Sequence, residues 1–272
     1  MACVLRWSNR MYGLDMASVD QNVVDWRKVR ASGRSFAFVR AAHGLKPDSA
    51  FAAAWPAIRE AGIVRGAYHF LRHDQVPEAQ AQTFLDTVTM HRGDLPPMLD
   101  IEGVDDLPPP PIVAAAKRWL AIVETELEKR HGVQLRPFIY TSARVWKLLG
   151  NPSGFEMYPL WVVDWANFDA PRVPEPWGAD QWIVQQYAGD TKGLPGVSNQ
   201  ADLDRFRVQK LGDQGASITR LKVQLAIAGY PTSPSSEFDQ ATRAAVIAFQ
   251  AAHKLVQDGL VGPRTFAALQ WG

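Results

Sequence analysis

Leu95-Pro96-Pro97-Met98-Leu99-Asp100-Ile101-Glu102 is a short apolar run that ends in two carboxylates one residue apart. In a strand, successive side chains alternate faces, so Asp100 and Glu102 point the same way. Like charges so placed raise the pKa of one member, and a proton stays available for general-acid work near neutral pH. That is equipment for cleaving a glycosidic bond. A blander reading stands beside it, because acids at strand ends often serve only as turn formers. The surroundings of the run weigh the two readings, and they also decide the fold.

Helical patterns flank the run. One lies at 77–91; the other, at 112–130, carries Trp119, Ile122, Val123 and Leu127 as one apolar stripe. Outward from there, strand-like and helix-like segments alternate over 12–206. Strands are expected at 12–17, 35–42, 64–70, 96–102, 136–142, 159–165, 182–187 and 201–206, with further helices at 23–32, 51–61 and 143–149. Such alternation argues for parallel strands joined by crossover helices, and eight strands argue for a closed barrel. The stretches 150–181 and 188–200 are rich in Pro, Gly and Asn. The expected fold class is therefore α/β, an irregular TIM-like barrel of eight strands with about five crossover helices and a strand-rich closure. In such barrels the chemistry sits at the carboxyl ends of the strands. Asp15, Tyr68, Asp100, Glu102, Tyr140, Asp164, Trp165 and Asp202 all fall near those ends. Several carboxylates on one rim are electrostatically costly without a use.

Texture changes after residue 208. Residues 1–208 make the barrel region, with 1–10 as an N-terminal extension; 209–215 read as a linker; 216–272 read as a small three-helix domain. Its helical patterns run over 216–228, 238–253 and 263–270. Gly229-Tyr230-Pro231 stops the first, and Pro263 after Gly262 opens the third. This domain shows no cluster of catalytic residue types. It reads as a binding module or as a cap that stabilises the barrel.

Composition excludes several classes. The 272 residues are 47% hydrophobic and 21% charged with net charge +1, which gives no electrostatic case for nucleic acid or an anionic membrane surface. Cys3 is the only cysteine, so no intrachain disulfide forms, and the six histidines lack metal-ligand spacing. No metal and no other cofactor is expected. A peptidase or amidase would need a metal or an activated nucleophile that the sequence does not offer; His43, His69 and His73 are expected to be structural or cleft-lining rather than ligands. No apolar stretch is long enough to cross a membrane. The opening decapeptide lacks the apolar core of a signal peptide, so the expectation is a monomer made in the cytoplasm.

Taken in order, a set of fragments is similar to one known family. They are Tyr12-Gly13-Leu14-Asp15, Asp25-Trp26, Ser35 to Ala41, Gly62 to Phe70, Leu99-Asp100-Ile101-Glu102, Phe138-Ile139-Tyr140-Thr141, Leu160 to Asp164, Gln186-Tyr187 and Asp202 to Phe206. In these, residues 12–206 resemble the family 25 glycoside hydrolases, the Chalaropsis-type lysozymes. Residues 211–270 resemble the three-helix peptidoglycan-binding domain, most specifically in Asp258-Gly259-Leu260-Val261-Gly262-Pro263-Arg264-Thr265. The resemblance implies hydrolysis of the β-1,4 bond between N-acetylmuramic acid and N-acetylglucosamine, with bacterial peptidoglycan as partner. It implies Glu102 as proton donor and Asp100 beside it, orienting the substrate's own N-acetyl group as internal nucleophile. Asp15 and Asp202 would complete an acidic floor. Tyr68 and Tyr140 would line the cleft, Trp165 would stack on a sugar ring, and Asp164 would contact sugar hydroxyls. Together with the missing signal, the pairing of domains fits a phage endolysin that reaches the wall after release, or an autolysin exported by other means.

The chain departs from the family pattern at Ala17, where Ser is common, at Gln185, where Trp is common, and at Lys222, where Gln is usual and where a solvated face is expected. Two rival readings remain at this stage. A chitinase-type enzyme would also present Asp-x-Glu, though with an Asp where Met98 stands. A non-catalytic wall-binding protein would keep the barrel without the reaction.

Overall fold

The computed structural model describes residues 10–20, 23–103 and 109–272. Cys3 and nearly all of the N-terminal extension lie outside them. Among the described residues, nine strands occur: β1 (Arg10–Met16), β2 (Arg34–His43), β3 (Lys46–Pro47), β4 (Val64–Phe70), β5 (Met98–Asp100), β6 (Phe138–Ser142), β7 (Leu160–Val163), β8 (Trp182–Lys192) and β9 (Gln200–Arg207). All but β3 close into an eight-stranded barrel, because β1 pairs with both β2 and β9. β3 is a two-residue hairpin on the end of β2.

Strands β1, β2 and β4 to β8 run parallel, each to the next. β9 runs antiparallel to β8 and to β1. This corrects one expectation. Asp202 stands at the amino end of its strand, not the carboxyl end. The reversal brings it to the same rim as the other acids, directly opposite Asp15 in the ladder.

Five helices cross between the parallel strands: α1 (Trp26–Ala31), α2 (Phe51–Glu60), α3 (Pro77–Thr87), α4 (Pro109–His131) and α5 (Ala143–Leu148). Local chemistry sets several of their starts. Asp25 caps α1 by accepting from Arg27 N and Lys28 N, and Ser142 caps α5 by accepting from Val145 N. Pro77 opens α3, where its missing N–H costs nothing. The apolar faces of these helices bury Phe84, Trp119 and Trp146 against outward strand residues such as Ala37, Leu99 and Ile139.

The barrel interior is filled by the opposite set. Phe36, Phe38, Phe138, Trp161 and Phe206 are buried within it. Two glycines make the room: a Cβ on Gly13 would stand 2.6 Å from the Phe36 ring, and one on Gly66 would stand 2.2 Å from the Phe38 ring. On the parallel strands an inward core residue is followed two positions along by a polar residue on the same face. Phe38 leads to Arg40, Met98 to Asp100, Phe138 to Tyr140 and Val184 to Gln186. A dry lower barrel thus passes into a polar mouth within one turn of the pleat.

The small domain holds α6 (Ala216–Ile227), α7 (Gln240–Ala252) and α8 (Pro263–Gln270). It caps the base of the barrel, opposite the mouth. The Phe266 ring of α8 lies 5.6 Å from that of Phe138 and 5.5 Å from that of Phe206, so one apolar core runs through both parts. The Trp271 indole donates to Asp94 O at 2.8 Å. Residues 209–215 carry two backbone bridges into the domain, Gln209 to Val261 and Gln214 to Glu237. Lys222 corrects a second expectation: it is buried, not solvated. Its stem packs in the domain while Nζ donates to Ser235 Oγ at 2.6 Å and Ser233 O at 3.2 Å.

Candidate active site

Strand β5 ends at Asp100, and Glu102 lies two residues beyond. Ile101 between them points into the outer core, so the two carboxyls keep the shared face that alternation predicts. Asp100 is buried and Glu102 half-buried. Asp15 from β1 and Asp202 from β9 stand on the same rim, and Tyr68 and Tyr140 are buried below it from β4 and β6.

Gln186 of β8 joins these parts. Its Nε2 donates to Asp15 Oδ2 at 3.0 Å and to Asp202 Oδ2 at 3.1 Å. Its Oε1 accepts from the Tyr140 hydroxyl and the Trp165 indole, each at 3.1 Å. With two acids on one side of the amide and the donor-only indole of Trp165 on the other, the side chain is satisfied with its oxygen toward Trp165 and Tyr140.

Asp204 lies one pleat below Asp202 and is fully buried. Trp161 Nε1 donates to one of its oxygens at 3.0 Å, and no fixed donor reaches the other. The Asp15 carboxyl lies close enough for its charge to add to the burial that raises Asp204. The buried Oδ1 of Asp100 has no hydrogen-bond partner among the described residues.

Burial and crowding push every one of these carboxyls up. Burial, then the charge of Asp202, raises Asp15 well above the ordinary range. Burial, then Glu102 and Asp15, does the same to Asp100. Burial raises Asp204, with Asp15 adding to it. Burial, then Asp202, raises Glu102, and burial brings Asp202 to about 6. Arg40 tempers the rise at Asp100, itself fixed by an ion pair to Asp48 at 2.8 Å. The mouth therefore retains protons on its acids at pH values where free carboxyls have lost theirs.

Trp165 is 60% exposed on the edge of the mouth. Its loop has no helix, yet it is firmly held. Asp164 corrects the expectation of a sugar-facing acid: it is buried, and its carboxylate serves its own loop. It accepts from Ala166 N, Asn167 Nδ2, Arg172 N, Arg172 Nε and Arg172 Nη2 over 2.8–3.2 Å. Burial alone would raise it, but these donors hold it below the usual carboxylate range. Gln185 braces the same loop by donating to Asp164 O and Asn167 O. It is thereby turned to the loop and away from the cleft.

Of the eight residues that sequence reasoning named, five stand at one rim, Tyr68 and Tyr140 lie buried beneath it, and the Asp164 side chain turns into its own loop; that reasoning picked out the rim. It assigned no role to Gln186 or Asp204, although period-two alternation from Val184 and Asp202 puts both on the inward face. Among the described residues, no cluster of His, Cys, Asp or Glu could hold a metal ion, and no helix is long and apolar enough to cross a membrane.

Residues 14–197 match the family model for glycosyl hydrolases family 25. The chain belongs to this family. Residues 214–269 match a peptidoglycan binding domain. Among curated relatives, YegX of Escherichia coli (strain K12) is 31% identical over 206 residues, 73% of this chain and 70% of YegX. Lysozyme M1 of Streptomyces globisporus is 31% identical over 202 residues, 68% of this chain and 64% of that protein. Among solved structures, the bacterial lysozyme from Streptomyces coelicolor superposes with a TM-score of 0.60 at 29% identity, covering 72% of this chain and 91% of the other. The family 25 match ends before β9, so Asp202 and Asp204 are placed at the mouth by the fold, outside the matched span.

Proposed function

We propose that the acid-lined mouth is where this family 25 hydrolase cuts peptidoglycan as a lysozyme, with Glu102 as general acid and Asp100 as the group that orients the substrate. The reaction is hydrolysis of the β-1,4 bond between N-acetylmuramic acid and N-acetylglucosamine. The observation that carries the assignment is the contrast between the two neighbours. Glu102 is solvent-reachable and retains its proton through burial and the nearby Asp202 charge. Asp100 is buried beside it, with one oxygen that no group among the described residues satisfies.

The chemistry follows from that contrast. Glu102 gives its proton to the glycosidic oxygen as the bond to the anomeric carbon breaks. The unpartnered Asp100 oxygen accepts the N–H of the substrate's N-acetyl group. This turns the acetamido oxygen toward the anomeric carbon, where it forms the new bond. Glu102, now a carboxylate, takes a proton from water as that water opens the cyclic intermediate, and the starting configuration returns. Trp165 supplies a flat face for one ring at the edge, and the Gln186 bond fixes its angle.

Glu102→Gln should lower turnover on purified walls about 10²- to 10⁴-fold, the usual worth of a general acid, while leaving wall binding and the thermal midpoint intact. Near-normal lysis by that variant contradicts the assignment. The small domain supports retention on the same polymer, so the proposed place of action is the bacterial wall. An endolysin role is the narrower form of this reading. It requires a cytoplasmically expressed chain to spare its host until the membrane is permeabilised.

A further inference from the structure

Asp204 is a fully buried acid to which the proposed reaction gives no part. It faces into the barrel from β9, two residues beyond Asp202, and the ladders fix what surrounds it. It stands opposite Gly13 of β1 and opposite Gln186 of β8. Gly13 brings no side chain, and Asp15 is the next inward residue of β1, diagonal to Asp204 across the pair. The two carboxyls lie within hydrogen-bonding reach of each other. Of the titratable groups, Asp202 and the Tyr187 hydroxyl of β8 also bear on Asp204. Asp202, Asp20, Tyr68, Asp100 and Tyr140 also bear on Asp15.

The donors around this pair are already committed. Trp161 Nε1 donates to Asp204 Oδ1 at 3.0 Å. Gln186 Nε2 donates to Asp15 at 3.0 Å and to Asp202 at 3.1 Å, which uses both of its N–H groups. Among the described residues, no fixed donor reaches the buried Oδ2 of Asp204. Two charged carboxylates sealed side by side, with one oxygen bare, are expensive. One proton between them removes that cost, because a protonated carboxyl has an O–H to give and a neighbouring carboxylate accepts it. Depth decides which acid holds it. Asp204 is 0% exposed and has one donor, whereas Asp15 is 7% exposed, nearer the mouth and already served by Gln186. Burial and the charge of Asp15 both favour the neutral form of Asp204, and the bond that Asp204 gives favours the charged form of Asp15.

We propose that Asp204 is a neutral carboxylic acid in the folded protein, that it donates its O–H to Asp15, and that it is a positioning residue holding Asp15 as the charged floor of the mouth. The consequence for catalysis rests on the hydrolase reading; the place of the proton does not. The bonds run from Trp161 to Asp204 to Asp15, and Gln186 ties Asp15 to Tyr140 and Trp165. A charged Asp15 is the better acceptor for the Gln186 amide, so the same proton steadies the ring platform at the edge. It also sets a negative charge beneath the sugar, where positive charge grows as the glycosidic bond breaks. Asp204 keeps its proton throughout, since it is buried below the mouth and out of reach of the substrate.

The test compares two substitutions in the full chain. Asparagine keeps both contacts of a neutral acid, an oxygen for Trp161 and an N–H for Asp15, and it removes no charge where Asp204 has none. Asp204→Asn should therefore hydrolyse soluble glycan fragments within about threefold of the wild-type rate, with both limbs of the kcat/KM profile in place. Asp204→Leu removes the donor. Asp15 then holds a proton to higher pH, so the acidic limb moves up, and kcat/KM at the optimum falls at least about tenfold. Infrared difference spectra, wild type minus Asp204→Asn, should show the carbonyl band of a protonated carboxyl at neutral pH, a reading that needs no activity. A profile displaced to lower pH in Asp204→Asn means that a charge was lost, and it overturns the proposal. So does the absence of that band, or an acidic limb that stays in place in a folded Asp204→Leu. If the leucine variant does not fold, the band and the asparagine profile decide. If Glu102→Gln lyses walls normally, the hydrolase reading falls and takes the catalytic consequence with it, while the band still decides where the proton sits.

Discussion

At the scale of single residues, the site works by keeping protons on acids that crowd one another. Asp202 helps to raise Glu102 through like charge. Asp202→Asn removes that charge, so the Glu102 pKa falls and its acid form is lost at a lower pH. The alkaline limb of the kcat/KM profile should therefore move to lower pH; a limb that stays put or moves up contradicts the coupling. Gln186→Leu keeps the bulk but strands Asp15, Asp202, Tyr140 and Trp165 together. It should cost at least about tenfold in kcat/KM, about 1.4 kcal/mol of transition-state stabilisation, with KM raised as the indole loses its tether. Steady-state kinetics on soluble glycan fragments separate the two constants. The acid pair was legible in the sequence because a two-residue period is enough to place it. Gln186 was noticed only as part of a family fragment and given no role, since a neutral amide inside an apolar run carries no chemical signal until its four partners are known. Asp164 read as a sugar contact because it ends a strand beside Trp165. Its true partner, Arg172, lies eight residues along an irregular loop whose path no periodicity describes.

Among the elements, the eight barrel strands and five crossover helices were legible to within a few residues, because β-branched and aromatic runs alternated with amphipathic ones. The direction of β9 was not. A hydrophobic pattern reads the same in either sense, and the residues 188–200 that looked like loop instead extend β8 into a hairpin. That hairpin also shapes the cleft, because Gly189 lies flat against the Trp165 ring. A Cβ there would stand 2.6 Å from it. Gly189→Val should push the indole off its bond to Gln186 and raise KM for glycan severalfold. The effect on kcat should be small, since Asp100 and Glu102 belong to another strand. Quenching of Trp165 fluorescence by bound glycan reports the same change, and an unaltered KM contradicts the platform role.

For the molecule as a whole, the two parts share one apolar core. The boundary near residue 208 was visible as a change of texture, but composition could not show that Phe266 plugs the base of the barrel. Phe266→Ala opens a cavity shared by both parts and should cost about 3–5 kcal/mol. Thermal unfolding followed by calorimetry should then show one transition, shifted down as a unit; a barrel that melts at its original temperature contradicts the shared core. The same contact places the small domain and the acid-lined mouth at opposite ends of one body.

The central claim is that the protons gathered at the mouth are delivered to the bond on the reducing side of muramic acid. Purified peptidoglycan digested by the wild-type chain, with Glu102→Gln as control, should yield new reducing ends that are muramic acid, and the control should yield almost none. New reducing ends of glucosamine, or free stem peptides without new reducing sugar, would contradict the account.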